Sequence, residues 1–139
     1  MTRPMNHNFT SIDPEFLSPL TLAYIGDAVY ELWVRRYLVS KGPHRVNELH
    51  REAIKYVNAA TQSKLVALLE PVLNEKELAV LRKGRNAKSG RQPKNMDMID
   101  YRRATGLEAL VGYLYLLNQP ARLEEIFLQL TQLVEKEND

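Results

Sequence analysis

The sequence contains no cysteine and only three histidines in 139 residues. The lack of cysteine excludes a disulfide framework, a cysteine-based zinc site and a thiol nucleophile, and it fits a reducing cytoplasm. The histidines, at positions 7, 44 and 50, form no i, i+4 pair of the metal-binding kind and accompany no Gly-x-Ser-x-Gly motif. Metal or serine chemistry that depends on histidine is therefore not indicated.

Long apolar runs are also missing. The longest uncharged stretch, from Ala109 to Ala121, has 13 residues and is too short to cross a bilayer. The first ten residues, MTRPMNHNFT, lack the apolar core of a signal peptide. With 45% hydrophobic and 26% charged residues, the chain is expected to be a single cytoplasmic domain over residues 1–139, with residues 1–13 as a flexible lead-in.

The sequence has no alternating strand pattern and no internal repeat, and it is best described as helices joined by short breaks. Ser18-Pro19 is a helix-start signal, and Lys41-Gly42-Pro43 ends that first helix near Ser40. Further helices are predicted over residues 46–57, 60–69, 75–83, 98–117 and 121–136. A capping pair, Asn74 and Glu77, opens the helix over residues 75–83. The pattern predicts an all-α single domain.

Positive charge is concentrated in residues 82–94, called the basic segment below, which contain six cations and no acid. Removing its six cations from a chain whose net charge is +2 leaves −4 on the remainder. Residues 84–95, which overlap this segment, are rich in breakers and almost free of apolar side chains, so an exposed basic loop is predicted there. The six cations are Arg82, Lys83, Arg85, Lys88, Arg91 and Lys94.

Two acids lie on otherwise apolar helices. Asp27 shares a predicted face with Ala23 and Val34, and Glu108 lies within an apolar run in the fifth helix. A buried carboxylate must be paired or protonated. Two ordinary interpretations stay open at this point: Asp27 satisfied by an arginine, a tyrosine or a backbone donor, and Glu108 exposed to solvent.

The same two helices contain interior glycines at positions 26, 106 and 112. Each costs about 1 kcal/mol relative to alanine, which indicates that another helix or a substrate approaches these backbones closely. Acids on apolar helices together with a basic segment suggest a divalent metal site that faces a phosphate. Magnesium accepts carboxylates, water and phosphate oxygens as ligands, so neither cysteine nor histidine is needed.

Residues 24–31, YIGDAVYE, resemble the signature helix of the ribonuclease III family, and residues 105–115, TGLEALVGYLY, resemble its second acidic motif. The resemblance spans most of residues 15–135, with both motifs in the family's order. Because the chain ends at Asp139, no room is expected for the family's double-stranded-RNA-binding domain. The chain is most similar to the stand-alone catalytic domains of the Mini-ribonuclease III group.

The resemblance implies an all-helical homodimer that cleaves double-stranded RNA with Mg²⁺, or with Mn²⁺ in its place, and leaves 5′-phosphate and 3′-hydroxyl ends. Within the group it implies maturation of the large-subunit (23S) ribosomal RNA precursor, with a ribosomal protein as a possible accessory. By position, Asp27 and Glu108 are the catalytic, metal-binding acids. Ala23 and Thr105 stand where the family has two more acids, which leaves the number of metal ions open.

Further roles are assigned on weaker grounds. Thr105 is a candidate hydrogen-bond partner for a water beside the metal. The six cations of the basic segment are expected to contact RNA phosphates, which would make binding salt-dependent. A second apolar face of the first helix is the candidate dimer interface, and it comprises Leu22, Ile25, Val29, Leu32 and Trp33.

Two alternatives to the enzyme are considered. One is a non-catalytic RNA-binding module of the same fold that acts in ribosome assembly, which the two missing acids favour and the retained pair opposes. The other is a helical dimer that binds DNA or an acidic protein through the basic loop, and it leaves the paired acids unexplained. Cleavage of duplex RNA with and without chelator distinguishes them.

Overall fold

The computed structural model describes residues 12–88 and 97–138. These residues form six α-helices: α1 (Pro19–Ser40), α2 (Val46–Val57), α3 (Ala59–Leu69), α4 (Glu75–Asn86), α5 (Met98–Leu116) and α6 (Pro120–Glu137). Short 3-10 turns at Pro14–Phe16 and Glu70–Val72 complete the described part, which contains no β-strand. The all-α prediction is confirmed. In the described residues, no helix is both long enough and apolar enough to cross a membrane.

Local capping explains where several helices begin. The Ser18 hydroxyl accepts a hydrogen bond from the Thr21 amide, and Pro19 occupies the first helical position of α1. Asn74 and Glu77 form the predicted reciprocal capping box at the start of α4. After α5, Asn118 adopts a left-handed conformation with φ of 59°, which turns the chain into α6.

The predicted loop begins too early. Gly84 is buried inside α4, and this helix continues to Asn86 instead of ending near Lys83. A Cβ atom on Gly84 would lie 2.8 Å from the Cα of Gly106, so the glycine serves a close helix crossing and does not break the helix. The rest of the predicted loop, residues 89–96, lies outside the described residues, as do residues 1–11 of the predicted lead-in.

Helix α5 lies at the centre of the fold and contacts α1, α3, α4 and α6. Ten of its residues are buried, and Leu107, Leu110 and Val111 have no exposed surface. A helix that is apolar on most sides belongs in the core, so the half-buried acid that it carries, Glu108, needs a partner. The packing of α1 across α5 determines what Glu108 meets.

Candidate active site

The backbones of α1 and α5 touch where the two predicted acids lie. A Cβ atom on Gly26 would overlap the carbonyl oxygen of Glu108, and a Cβ atom on Gly112 would overlap the carbonyl oxygen of Leu22. Only glycine allows such an approach, which explains why two glycines occur inside these helices although each lowers helix stability. Asp27 follows Gly26 directly, so the crossing brings its carboxyl to Glu108.

The side chains of Asp27 and Glu108 lie within hydrogen-bonding distance of each other. Asp27 is exposed to solvent, whereas Glu108 is mostly covered. The structure thus corrects two interpretations: Asp27 is not a buried acid with a basic partner, and Glu108 is not an ordinary exposed glutamate. The partner of each acid is the other acid.

Burial of the Glu108 carboxyl, the negative charge of Asp27 and a hydrogen bond with Asp27 raise the pKa of Glu108 from 4.5 to about 8. A hydrogen bond with Gln62 opposes this rise. Glu108 therefore holds its proton more tightly than a glutamate in water does. Among the described residues, the groups that act on Glu108 include no lysine or arginine.

This donor set fits a hard divalent cation. Two carboxyls in contact repel each other once both are ionised, and a cation between them removes that repulsion. Magnesium is commonly held by one or two carboxylates, with water and phosphate oxygens as its other ligands. No cluster of three or more His, Cys, Asp or Glu side chains suited to a metal occurs in the described part of the chain. The residues fit a single ion that is completed by water and substrate.

Ala23 and Thr105 occupy the two positions where the resembling family has further acids. Both are buried at the helix crossings. The Thr105 hydroxyl donates to the carbonyl of Tyr101 one turn earlier in α5, at 3.0 Å, so its proton is used within the helix. The suggested contact of Thr105 with a water beside the metal stays a prediction.

Tyr30 and Gln62 complete the surroundings of the pair. Tyr30 lies within the first motif but was given no role, and Gln62 lies outside both motifs. Tyr30 is buried one turn after Asp27 and donates to the carbonyl of Tyr56 at 2.6 Å. Burial, followed by the negative charge of Glu108, raises the pKa of Tyr30, which keeps this hydroxyl a neutral donor. The run of four polar residues from Thr61 to Lys64, in a helix whose other residues are apolar, was the available signal for Gln62.

The predicted RNA contacts are only partly described. Arg82, Lys83 and Lys88 are exposed at the end of α4 and just beyond it. Arg85 is half-buried, and its backbone packs against Gly106 of α5. Arg91 and Lys94 lie outside the described residues. The exposed cations stay candidates for phosphate contacts.

The proposed dimer face contains one residue that the structure excludes. Leu22 is 5% exposed and packs against α5 within the chain, so its assignment to an interface is wrong. Trp33 stacks between Phe127 and Tyr37, and its indole nitrogen donates to Glu124 at 3.0 Å, so most of this ring is used internally. Ile25 and Val29 are half-buried and keep some surface.

Comparisons with known proteins agree with the all-helical fold. Residues 20–119 match the model of the ribonuclease III domain family. The chain is 46% identical over 133 residues to Mini-ribonuclease 3 of Clostridium tetani, an alignment covering 95% of this chain and 88% of the relative. It is 51% identical over 123 residues to Mini-ribonuclease 3 of Desulfitobacterium hafniense, covering 88% and 78% respectively. A crystal structure of a Fusobacterium nucleatum protein, 29% identical, superposes with a TM-score of 0.77 over 90% of this chain and 98% of that one.

Proposed function

The chain belongs to the ribonuclease III family, in its Mini-ribonuclease 3 group, and is an endoribonuclease; on this premise we propose that it cleaves double-stranded RNA with the help of Mg²⁺. We further propose that its substrate in the cytoplasm is the 23S ribosomal RNA precursor. The observation that carries the proposal is the contact between Asp27 and Glu108, two acids 81 positions apart that meet with no basic partner among the described residues.

The two acids have different tasks in this proposal. Asp27 presents an exposed carboxylate to incoming substrate and solvent, and Glu108 supplies a second carboxylate from a half-buried position. When bound by these groups, Mg²⁺ lowers the pKa of the attacking water and offsets the charge that builds up on the phosphate. Attack on phosphorus that expels the 3′-oxygen leaves 5′-phosphate and 3′-hydroxyl ends. Mn²⁺ shares the ligand preference and is expected to substitute.

We propose that the enzyme acts as a homodimer, because a duplex presents two strands and a two-fold dimer supplies one site for each. The exposed apolar side chains before Asp27 offer a surface for a second copy. Phe16 is 86% exposed and Tyr24 is 80% exposed, and Leu20 lies between them in sequence. Large apolar side chains left in water next to a functional site are typical of an interface.

RNA binding is assigned to the exposed cations near the end of α4. A-form RNA is bound mainly through its phosphates and 2′-hydroxyls, so lysine and arginine side chains suit a sequence-tolerant contact. Arg82, Lys83 and Lys88 are exposed and are not members of the described ion pairs. A ribosomal protein that presents the precursor is a compatible accessory.

The decisive experiment is cleavage of a blunt RNA duplex in Mg²⁺, with and without EDTA. Asp27→Asn and Glu108→Gln should each reduce cleavage at least about 100-fold without loss of the folded state, since each removes a metal-binding charge. Glu31→Gln is the matched control, because Glu31 lies one turn from Asp27 and pairs with Arg35 at 2.9 Å. Unchanged cleavage by Asp27→Asn would overturn the metal-binding role.

The alternative of a non-catalytic RNA-binding module conflicts with the family membership of the chain, although Ala23 and Thr105 supply no carboxylate where the family has two further acids. It predicts duplex binding by the native chain with no cleavage in any divalent metal. For the ribosomal substrate, the test is to map the ends of large-subunit RNA in cells that lack the gene. Unprocessed ends that the native gene restores, and Asp27→Asn does not, support the assignment; normal ends would refute it.

A further inference from the structure

Gln62 is a buried amide in the middle of an apolar helix. Its side chain is 4% exposed, and α3 also buries Leu65, Val66 and Leu69. An amide in such surroundings costs about 1 to 3 kcal/mol unless it is hydrogen-bonded. A partner for Gln62 is therefore a structural requirement of α3.

The two polar neighbours of Gln62 have other partners. The Thr61 hydroxyl donates to the carbonyl of Lys55 at 2.9 Å, which secures the turn between α2 and α3. The Ser63 hydroxyl accepts a hydrogen bond from Arg103 of α5 at 3.3 Å. The Gln62 amide hydrogen-bonds to the Glu108 carboxyl and so links α3 to the acid pair.

The Glu108 carboxyl has two partners of opposite effect. Asp27 on one side repels it once both acids are ionised, whereas the Gln62 amide can donate to the ionised carboxylate. A glutamate side chain has three rotatable bonds, so an unanchored Glu108 carboxylate would swing away from Asp27 to relieve repulsion. A fixed donor on a packed helix opposes that movement.

We propose that Gln62 is a positioning residue of the active site, whose amide holds the Glu108 carboxylate facing Asp27 in the orientation that binds the divalent cation. Hydrogen-bonding partners of metal ligands commonly change metal affinity 10- to 100-fold when they are removed. Gln62 itself touches neither metal nor RNA in this assignment. The inference rests on the proposed magnesium-dependent function.

The test compares Gln62→Met with the native chain. Methionine keeps the length and most of the volume of glutamine but donates no hydrogen bond. The matched control is Thr131→Val, because Thr131 is also buried and donates to the carbonyl of Leu128 at 2.9 Å within α6. Both variants lose one buried polar group, but only the first is expected to affect the acid pair.

Two readouts are measured for each protein. One is Mn²⁺ binding to the RNA-free protein, followed by loss of the free-ion electron paramagnetic resonance signal. The other is the Mg²⁺ concentration that half-saturates cleavage, separated from the rate at saturating Mg²⁺. Gln62→Met should weaken Mn²⁺ binding and raise the half-saturating Mg²⁺ concentration by about 10-fold or more, with much of the rate recovered at high Mg²⁺. Thr131→Val should move neither quantity.

The outcomes separate this inference from the function on which it rests. If the native chain neither binds the metal nor cleaves duplex RNA, the proposed function fails. If the native chain does both and Gln62→Met has native metal affinity, the positioning role is refuted. Gln62→Asn, an amide one methylene too short to reach Glu108, covers the case in which Gln62→Met does not fold, and it is expected to show the same shift.

Discussion

Gly26 of α1 lies so close to Glu108 of α5 that a Cβ atom at position 26 would overlap the Glu108 carbonyl oxygen and come within 2.8 Å of the Gly112 amide nitrogen. The backbone atoms that obstruct this Cβ belong to a helix and cannot move aside as a flexible side chain can. The separation of the two active-site helices is therefore set by main-chain contact.

Substitution Gly26→Ala tests this contact. Overpacking of a close helix crossing should lower the free energy of unfolding by about 3 kcal/mol and separate Asp27 from Glu108. Urea unfolding measures the first effect, and cleavage measured well below the unfolding midpoint measures the second. Arg36→Ala, at an exposed position of the same helix, should leave both unchanged. A fully active and stable Gly26→Ala protein would show that the helices can move apart without cost.

Glu108→Gln should stabilise the metal-free protein at alkaline pH. The pKa of Glu108 is about 8 in the folded chain against an ordinary 4.5, so the folded state binds more protons between these values. Stability from this group consequently falls as pH rises from about 4.5 to 8 and stays low above it. Removing the charge should recover on the order of 1 to 3 kcal/mol at pH 9.

Thermal unfolding in EDTA at pH 5 and pH 9 measures this effect. The gain in melting temperature should be larger at pH 9 for Glu108→Gln, whereas Glu31→Gln should show no such difference between the two pH values. Equal loss of stability from pH 5 to pH 9 in the native and Glu108→Gln proteins would contradict the assigned burial and repulsion at the acid pair.

The ion pair between Arg122 and Glu77 should contribute strongly to stability. Glu77 is 4% exposed, accepts from Arg122 at 2.8 Å and also caps α4. Arg122→Met leaves this carboxylate without its cation and should cost about 3 kcal/mol. The exposed pair of Glu31 and Arg35 is the control, and Arg35→Met should cost less than about 1 kcal/mol. Chemical unfolding at pH 7 compares the two variants.

The same pair has a pH signature. The hydrogen bond from Arg122 is the main cause that lowers the pKa of Glu77. A carboxyl with a lowered pKa in the folded state adds stability above its unfolded pKa, and that stability is lost as the pH falls through the folded value. The penalty of Arg122→Met should therefore shrink in acid. A penalty that is constant from pH 7 to pH 3 would exclude this electrostatic origin.

Replacing Lys88, Arg91 and Lys94 together by alanine tests the basic segment. RNA affinity should fall, and the slope of log affinity against log salt should decrease by about one for each phosphate that the segment no longer neutralises. Filter binding of a duplex in a non-cleaving Ca²⁺ buffer, over a range of salt, gives both values. Lys64→Ala is the control, because Lys64 pairs with Glu137 at 2.7 Å. An unaltered slope in the triple variant would remove the segment from the RNA-binding surface.

Local features of this chain were predictable because their causes are local. The start of α1 at Ser18-Pro19 and the capping box of α4 depend on residues within one helical turn, and both are confirmed. The prediction that the helix ends before Gly84 was wrong because the cause is not local. The sequence neighbours of Gly84 are polar, whereas the contact that keeps it helical comes from Gly106 of another helix.

The structure brings together the two acids that the sequence selected, but the sequence did not predict how they are arranged. The motifs identified Asp27 and Glu108, but helical periodicity does not show which helix covers which face. It therefore placed Leu22 at a subunit interface, although α5 covers it, and it treated Asp27 as buried, although the site opens on that side. Gln62 was missed because the polar run in α3 does not show what the amide contacts, and its partner Glu108 lies 46 positions away.

The unequal exposure of the two acids gives the site a direction. Ions and water arriving from bulk solvent meet Asp27 before they meet Glu108, and they leave in the reverse order. If Mg²⁺ is bound as proposed, its ligands should exchange with solvent mainly beside Asp27, because Glu108 is half-buried. A chelator should consequently remove the ion quickly. Substitutions beside Glu108 should change the dissociation constant of the ion more than its association rate.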